Sequence, residues 1–296
     1  MKKYFFYFGL FLFSISVAKS QKPITLTEDS VKFGNRYFPG FWLSIPEAKP
    51  EVVKTNWIKA IEKGTKSKVS FKNNEMTLFG AILPNFTGGS VNIMSKVETG
   101  DSLTQLFVSI ETARDVFVEE TSEEYDKLDS YLKKFGKDQY IIVAKDQLSN
   151  EESTLKNLEK ELKSARKDKE KFDRGIQSAK VNITQQNDKI TGINKELEIL
   201  DIKIDNSTTL LSTMDDGEAK KTKKSELKSL QKKKKSLLKN INSAENSILK
   251  ANTSIADNTA NIELNEAAQK ELVDKITQQK LSIIRFQKKL KIIEGY

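Results

Sequence analysis

The chain contains no cysteine and no histidine among its 296 residues. The first absence excludes disulfides, thiolate metal sites and a cysteine nucleophile. The second removes Ser-His-Asp and Cys-His catalysis, HExxH-type zinc sites and the side chain that ordinarily titrates near neutral pH. Proline and the aromatic residues are present but confined. All five prolines precede residue 85, and residues 139–294 hold no Pro and three Gly. Beyond the first twenty residues, 14 of 18 aromatics lie in 21–138, and only Tyr140, Phe172, Phe286 and Tyr296 follow. This distribution predicts a small globular domain over 21–137 and a long helical segment over 138–296, with the change near Gly136.

The first twenty residues read as an address. Lys2 and Lys3 precede a 14-residue apolar run, Tyr4 to Val17, and Ala18-Lys19-Ser20 offers small residues for cleavage before Gln21. The run is too short to span a bilayer, so a secretory signal peptide is expected rather than a membrane anchor. No cysteine follows it to carry a lipid. The Lys-, Asn- and Ile-rich composition points to a bacterial chain, hence to the periplasm. Export makes nucleic acid an unsuitable partner despite the formal charge of +9.

The globular part reads as α+β. Val31–Phe33 and Phe41–Ile45 are strand candidates around a Gly-Asn turn and Pro39-Gly40. Pro50 suits the first turn of a helix. Val53, Trp57, Ile58 and Ile61 form its apolar face, and Gly64 ends it. Val69 and Phe71 alternate with polar residues before Asn73-Asn74 and Met76–Leu83. Val91, Ile93, Ser95 and Val97 alternate up to Gly100-Asp101, and Leu106, Val108 and Ile110 return. A second helix starts near Ser122, a candidate N-cap backed by Tyr125, Leu128 and Leu132. The predicted order is β-α-β-β-β-β-α, an antiparallel sheet with two helices on one face.

The second half is a coiled coil whose register follows from spacing. From Leu155 to Met214, 15 of 18 a and d positions are apolar, the exceptions being Lys169, Gln186 and Ser207. A second set, from Leu227 to Ile293, has 15 of 20. A sustained 3.5-residue repeat specifies such a seam. The two sets are out of phase, and Asp215-Asp216-Gly217 lies between them. We therefore expect an antiparallel hairpin, arms about 138–213 and 218–294, with a turn at 215–217. Facing residues then have numbers summing to 434, which sets Ile190 against Ala244, Ile183 against Ala251 and Lys169 against Asn265. This register matches large with small. Gly175 and Gly192 fall away from the seam. A continuous parallel helix is the competing arrangement, and self-association of hairpins is compatible with either.

Few residues invite chemistry. Tyr37, Phe38, Phe41 and Trp42 form an aromatic run after Arg36, a candidate contact surface or simply strand core. Thr87-Gly88-Gly89-Ser90 lacks the Lys-Ser/Thr ending of a phosphate loop and reads as a turn. Glu119, Glu120, Glu123, Glu124 and Asp126 do not match calcium-loop spacing and suit a helix start. No catalytic, metal or cofactor residue is assigned. Without the signal segment the net charge is +6, of which residues 137–296 carry +7 and residues 21–136 carry −1. Nine lysines lie between Lys220 and Lys235, close to the expected tip. Lys221, Lys224, Lys228, Lys232 and Lys235 are the candidate contacts for an acidic partner or an anionic envelope surface. Lys220, Lys223 and Lys234 fall on the seam, so the last turns should pack loosely.

Phe41–Gly64, Met76–Ile110 and the heptads from Asp138 together resemble a group of exported bacterial proteins that pair a small α+β domain with a long coiled-coil hairpin. That resemblance implies no activity to transfer. Basic periplasmic chaperones with helical arms are similar in charge and hairpin form, but their chains are shorter and build their body from both ends. Cell-wall hydrolase activators also combine a coiled coil with a globular domain, but there that domain comes last and derives from a His-bearing enzyme. The expectation is a non-enzymatic structural or adaptor protein; the alternative is a holdase-type chaperone. An enzyme would need convergent polar groups in a pocket of the small domain.

The absence of native cysteine makes the register directly testable. Cysteines placed at Ile190 and Ala244 should crosslink within one chain. Only inter-chain products, or crosslinking of Leu197 to Ala244 instead, would contradict it.

Overall fold

A computed structural model describes residues 23–84, 86, 89–100 and 103–295. The expected signal segment and its cleavage site lie outside the described residues, as do Thr87 and Gly88 of the glycine-rich turn and Asp101. The elements run β1 (Thr25–Phe33), β2 (Arg36–Pro46), α1 (Pro50–Ile61), β3 (Ser70–Lys72), β4 (Glu75–Ala81), β5 (Val91–Gly100), β6 (Leu103–Ala113), β7 (Val116–Phe117), α2 (Tyr125–Thr213) and α3 (Glu218–Glu294). The chain forms two compact units, one of residues up to Glu151 with those from Ser282 on, the other of Glu152–Leu281.

The first unit is an antiparallel sheet in the order β1-β2-β6-β5-β4-β3, with β7 added to β6. The predicted order is corrected at its start. The two strand candidates around the Gly-Asn turn form a hairpin before the first helix, where the predicted order counted one strand, and the first of them starts as early as Thr25. Pro50 opens α1 as expected, and Val53, Trp57 and Ile61 are buried. They meet Phe41, Leu43 and Ile45 of β2, the inward side chains of β4, β5 and β6, and Leu128, Leu132 and Phe135 of α2. The Trp57 indole donates to the buried Ser95 hydroxyl at 2.9 Å, so the largest core side chain has its polar atom satisfied.

Two helix boundaries differ from expectation. Ser122 does not cap α2. Its hydroxyl accepts the Glu119 N–H at 2.9 Å within the preceding turn, and the helix begins at Tyr125. Gly136 does not interrupt the chain either. The helix runs through it, and a Cβ there would come within 3.0 Å of Ile24 and 3.4 Å of Leu43. This glycine is a point of close approach between the helix and the side chains of Ile24 and Leu43.

The second unit is the antiparallel pair formed by α2 and α3, joined by a short turn after Thr213. Ile193, Leu200 and Leu237 are buried together, with Leu197, Ile204, Leu230 and Ile241 around them, which matches the predicted pairing. Ala179, Ala244 and Ala251 are buried at the small positions opposite isoleucines. Lys169 departs from its expected polar partner. Its ammonium reaches Glu266 at 2.5 Å, while Asn265 accepts from the Gln269 amide at 2.6 Å. A lysine at a seam position stretches to the rim rather than leaving its charge among apolar side chains. Gly175 is corrected too: a Cβ there would lie 2.8 Å from the Asn258 amide, so this glycine makes room for a polar seam residue.

Gly175→Ala should therefore be coupled to Asn258. Alanine in an exposed helix interior gains about 1 kcal/mol over glycine. That gain should be reduced in the native background, where the Asn258 amide must move, and recovered in Asn258→Ala. Urea melts of the double-mutant cycle should give a coupling of at least about 0.5 kcal/mol. Additive effects would contradict the contact.

Candidate functional site

The period-2 pattern of β2 splits the aromatic run. Phe41 is 1% exposed and belongs to the main core, where its ring lies 5.4 Å from that of Tyr125. Tyr37 is exposed. Phe38 and Trp42 join a second, smaller cluster with Val31, Phe33, Met94, Phe107 and Phe117. No helix contributes to it.

This cluster exists because β2 changes partners along its length. Its ladder with β6 ends at Phe41–Val108, whereas its ladder with β1 continues to Arg36. Beyond that point β7 takes over the freed edge of β6. The transition sits at Gly40. A Cβ there would run into the Val108 carbonyl, and the Phe107 ring would be 2.8 Å away. Only glycine lets the strand turn so closely against its neighbour. The distal β1–β2 hairpin then returns across the sheet. Phe33 lies 5.8 Å from Phe107, and the Gly34 N–H donates to the Glu75 carboxylate of β4 at 3.2 Å. Phe38 meets Phe117 edge-on at 5.7 Å, and Trp42 meets Phe107 at 5.2 Å. Ring edges on ring faces satisfy the aromatic quadrupoles.

Cations frame the cluster. The Arg36 guanidinium lies 5.4 Å from the Phe38 ring centre and 6.0 Å from that of Phe117, and it pairs with Asp115 at 2.6 Å. The Lys96 ammonium lies 5.3 Å from the Trp42 ring, whose indole N–H donates to Asp29 at 3.2 Å. Such placements add a modest attraction at exposed sites. The outer rim is a small aromatic surface of half-buried Phe38, Trp42 and Phe117 with an arginine over it. The Ser109 hydroxyl on β6 is fully buried and unpartnered.

A second constellation closes the first unit, and sequence reasoning missed it. Glu47 takes a left-handed backbone, φ 57°, at the reversal between β2 and α1. Its carboxylate accepts from Lys289 of α3 at 2.6 Å and from the Gln147 amide of α2 at 2.9 Å. Lys289 also reaches the Gln147 carbonyl oxygen at 2.9 Å and stands 5.5 Å from the Tyr140 ring. Burial by itself would raise the Glu47 pKa, but the hydrogen bonds from Lys289 and Gln147 and the Lys289 charge outweigh it, and the net shift is downward. No local motif marks these residues, because the three elements meet only in the fold.

The tip lysines fall into two groups. Lys220 pairs with Asp216, Lys223 with Glu226, Lys233 with Glu196 and Lys234 with Asp201, all within 3.0 Å. Lys221 makes an exposed pair with Glu218. Lys224, Lys228, Lys232 and Lys235 are exposed and form no ion pair with any described residue. An open cleft lined by Leu211, Leu227, Lys220 and Lys224 separates the helix ends, in line with the loose packing expected there. Among the described residues no group of three carboxylates is arranged to hold a metal ion, and the Glu120 backbone N–H donates to the Glu28 carboxylate at 3.2 Å.

The Glu47 clasp should impose a pH dependence. A depressed native pKa means stabilisation that is complete above the ordinary carboxylate value of 4.5 and lost as pH falls through the lowered native value. Glu47→Gln should lower the melting temperature at about pH 7, and the difference from the native chain should shrink at a pH below 4.5. A difference that is the same at both pH values would show that the charge is not what matters.

No family model and no curated protein matches this chain.

Proposed function

We propose that the protein is a non-enzymatic adaptor of the bacterial cell envelope, exported after signal cleavage, whose sheet domain binds a protein partner while the hairpin acts as spacer or docking arm. The observation that supports this most is the aromatic rim on the helix-free side of the sheet. Phe38, Trp42 and Phe117 are rigid and half-buried, and Arg36 and Lys96 lie over their faces. Tyr37 extends the rim with an exposed ring. Aromatic residues and arginine are the types that dominate protein–protein contact energies, since they cover large areas with little entropy to lose.

A photo-crosslinking residue at Tyr37, in the full chain expressed in its own envelope, tests this reading. One discrete adduct is expected, identifiable by mass spectrometry, and Trp42→Ser should reduce it about tenfold if the ring is a contact anchor. The same probe at Leu249, exposed on α3, should not give that adduct. A smear of unrelated adducts from the hairpin probe, with none from Tyr37, would favour the holdase alternative and contradict the adaptor.

A further inference from the structure

The exposed lysines near the tip share one feature. Lys221, Lys224, Lys228, Lys232, Lys235 and Lys239 follow one another at steps of three or four residues, which places them in a single row on α3. All six are exposed. The seam residues Leu227, Leu230, Lys234, Leu237 and Ile241 repeat at the same steps on the other side of the helix, so the row faces away from α2. From Lys221 to Lys239 it extends about 27 Å at 1.5 Å per residue. Residues 220–239 hold ten lysines and one acid, Glu226, which is engaged with Lys223. The lysines on the seam side are neutralised by Asp216, Glu196 and Asp201. Those on the outward row, Lys221 apart, meet no carboxylate of the described residues.

The hairpin contains its own contrast. Lys156, Lys160, Lys163, Lys167 and Lys171 of α2 form a similar row, but Glu159, Glu170 and Asp173 lie beside it at neighbouring helical positions. With those three acids and Arg174, the next position of the row, it carries a net +3, whereas the α3 row of six lysines carries +5 once Glu218 is counted. Self-repulsion among the five ammonium groups that have no carboxylate partner is a cost that an anionic surface removes.

We propose that the outward lysine row of α3 adsorbs to an anionic phospholipid bilayer, the helix lying along the surface. The row is straight and evenly spaced, as a flat array of charge requires. Lysine supplies compact point charges suited to mobile headgroups rather than the bidentate geometry that arginine offers a fixed partner. No apolar residue interrupts the row, so contact is electrostatic and without insertion, which is consistent with the absence of any membrane-crossing helix among the described residues. This inference does not rest on the adaptor reading, since it concerns a different unit of the chain.

Co-sedimentation of the mature chain with vesicles tests it. Vesicles of equal parts phosphatidylglycerol and phosphatidylcholine should be bound at low salt, and binding should collapse as ionic strength approaches physiological levels. Pure phosphatidylcholine vesicles should not be bound. Gln at Lys224, Lys228, Lys232, Lys235 and Lys239 should lower the partition coefficient by about tenfold or more. Gln at Lys156, Lys160, Lys163, Lys167 and Lys171 removes the same charge and should change it by less than about twofold. Circular-dichroism melts establish that both variants keep the hairpin. Equal losses in the two variants, or none in the first, would overturn the proposal. So would binding of soluble dextran sulfate with no vesicle binding, which would assign the row to a linear polyanion.

Discussion

The last turns of α3 are fixed in the unit that the first strands build, and much of the architecture depends on that return. Ile293 is completely buried with Tyr140 and Ala144. Lys289 bonds Glu47, and Lys137 donates to the Glu294 carbonyl at 2.8 Å. A helix end is ordinarily a place that frays. Here it is held by an apolar contact, a partly buried ion pair and two aromatic faces around one ammonium. The left-handed Glu47 belongs to this closure: an unfavourable backbone conformation persists where several contacts over-determine it.

Closure also explains the evenness of the seam. With α2 leaving and α3 re-entering the same unit, the helices between must pair without slip. The long polar interruptions at Lys169, Asn258, Asn265 and Gln269 then do not let the register drift. Each finds a local answer: a rim ion pair, a space left by Gly175, or an amide bond along one helix. Polar seam residues cost stability and are retained elsewhere to specify register. In this seam a one-heptad shift would bring Lys169 against Leu272.

The long-period features were legible in the sequence and the contacts of close approach were not. Heptads from Leu155 and Leu227 set the hairpin, its turn and its pairing, since a 3.5-residue repeat over so many turns has one structural meaning. The entry of α1 at Pro50 and its buried face were legible for the same reason. Gly40 was read as part of a turn and Gly175 as lying away from the seam. Each is instead a place where another element comes too near for a side chain, and spacing along one chain cannot show that. The division of the aromatic run was hidden likewise, because it depends on where β2 leaves β6. The Glu47 clasp joins residues 100 and 242 positions apart and leaves no local trace. The tip lysines were visible as a cluster. Their separation into neutralised and outward-facing groups needed the partner carboxylates of both helices.

Native-state hydrogen exchange on the intact chain tests the closure most directly. If α3 is locked into the first unit, the amides of residues 287–293 should open with a free energy near that of residues 106–110 in the central strand β6. Exchange of those terminal amides at the rate of a frayed helix end, with β6 still protected, would contradict the account.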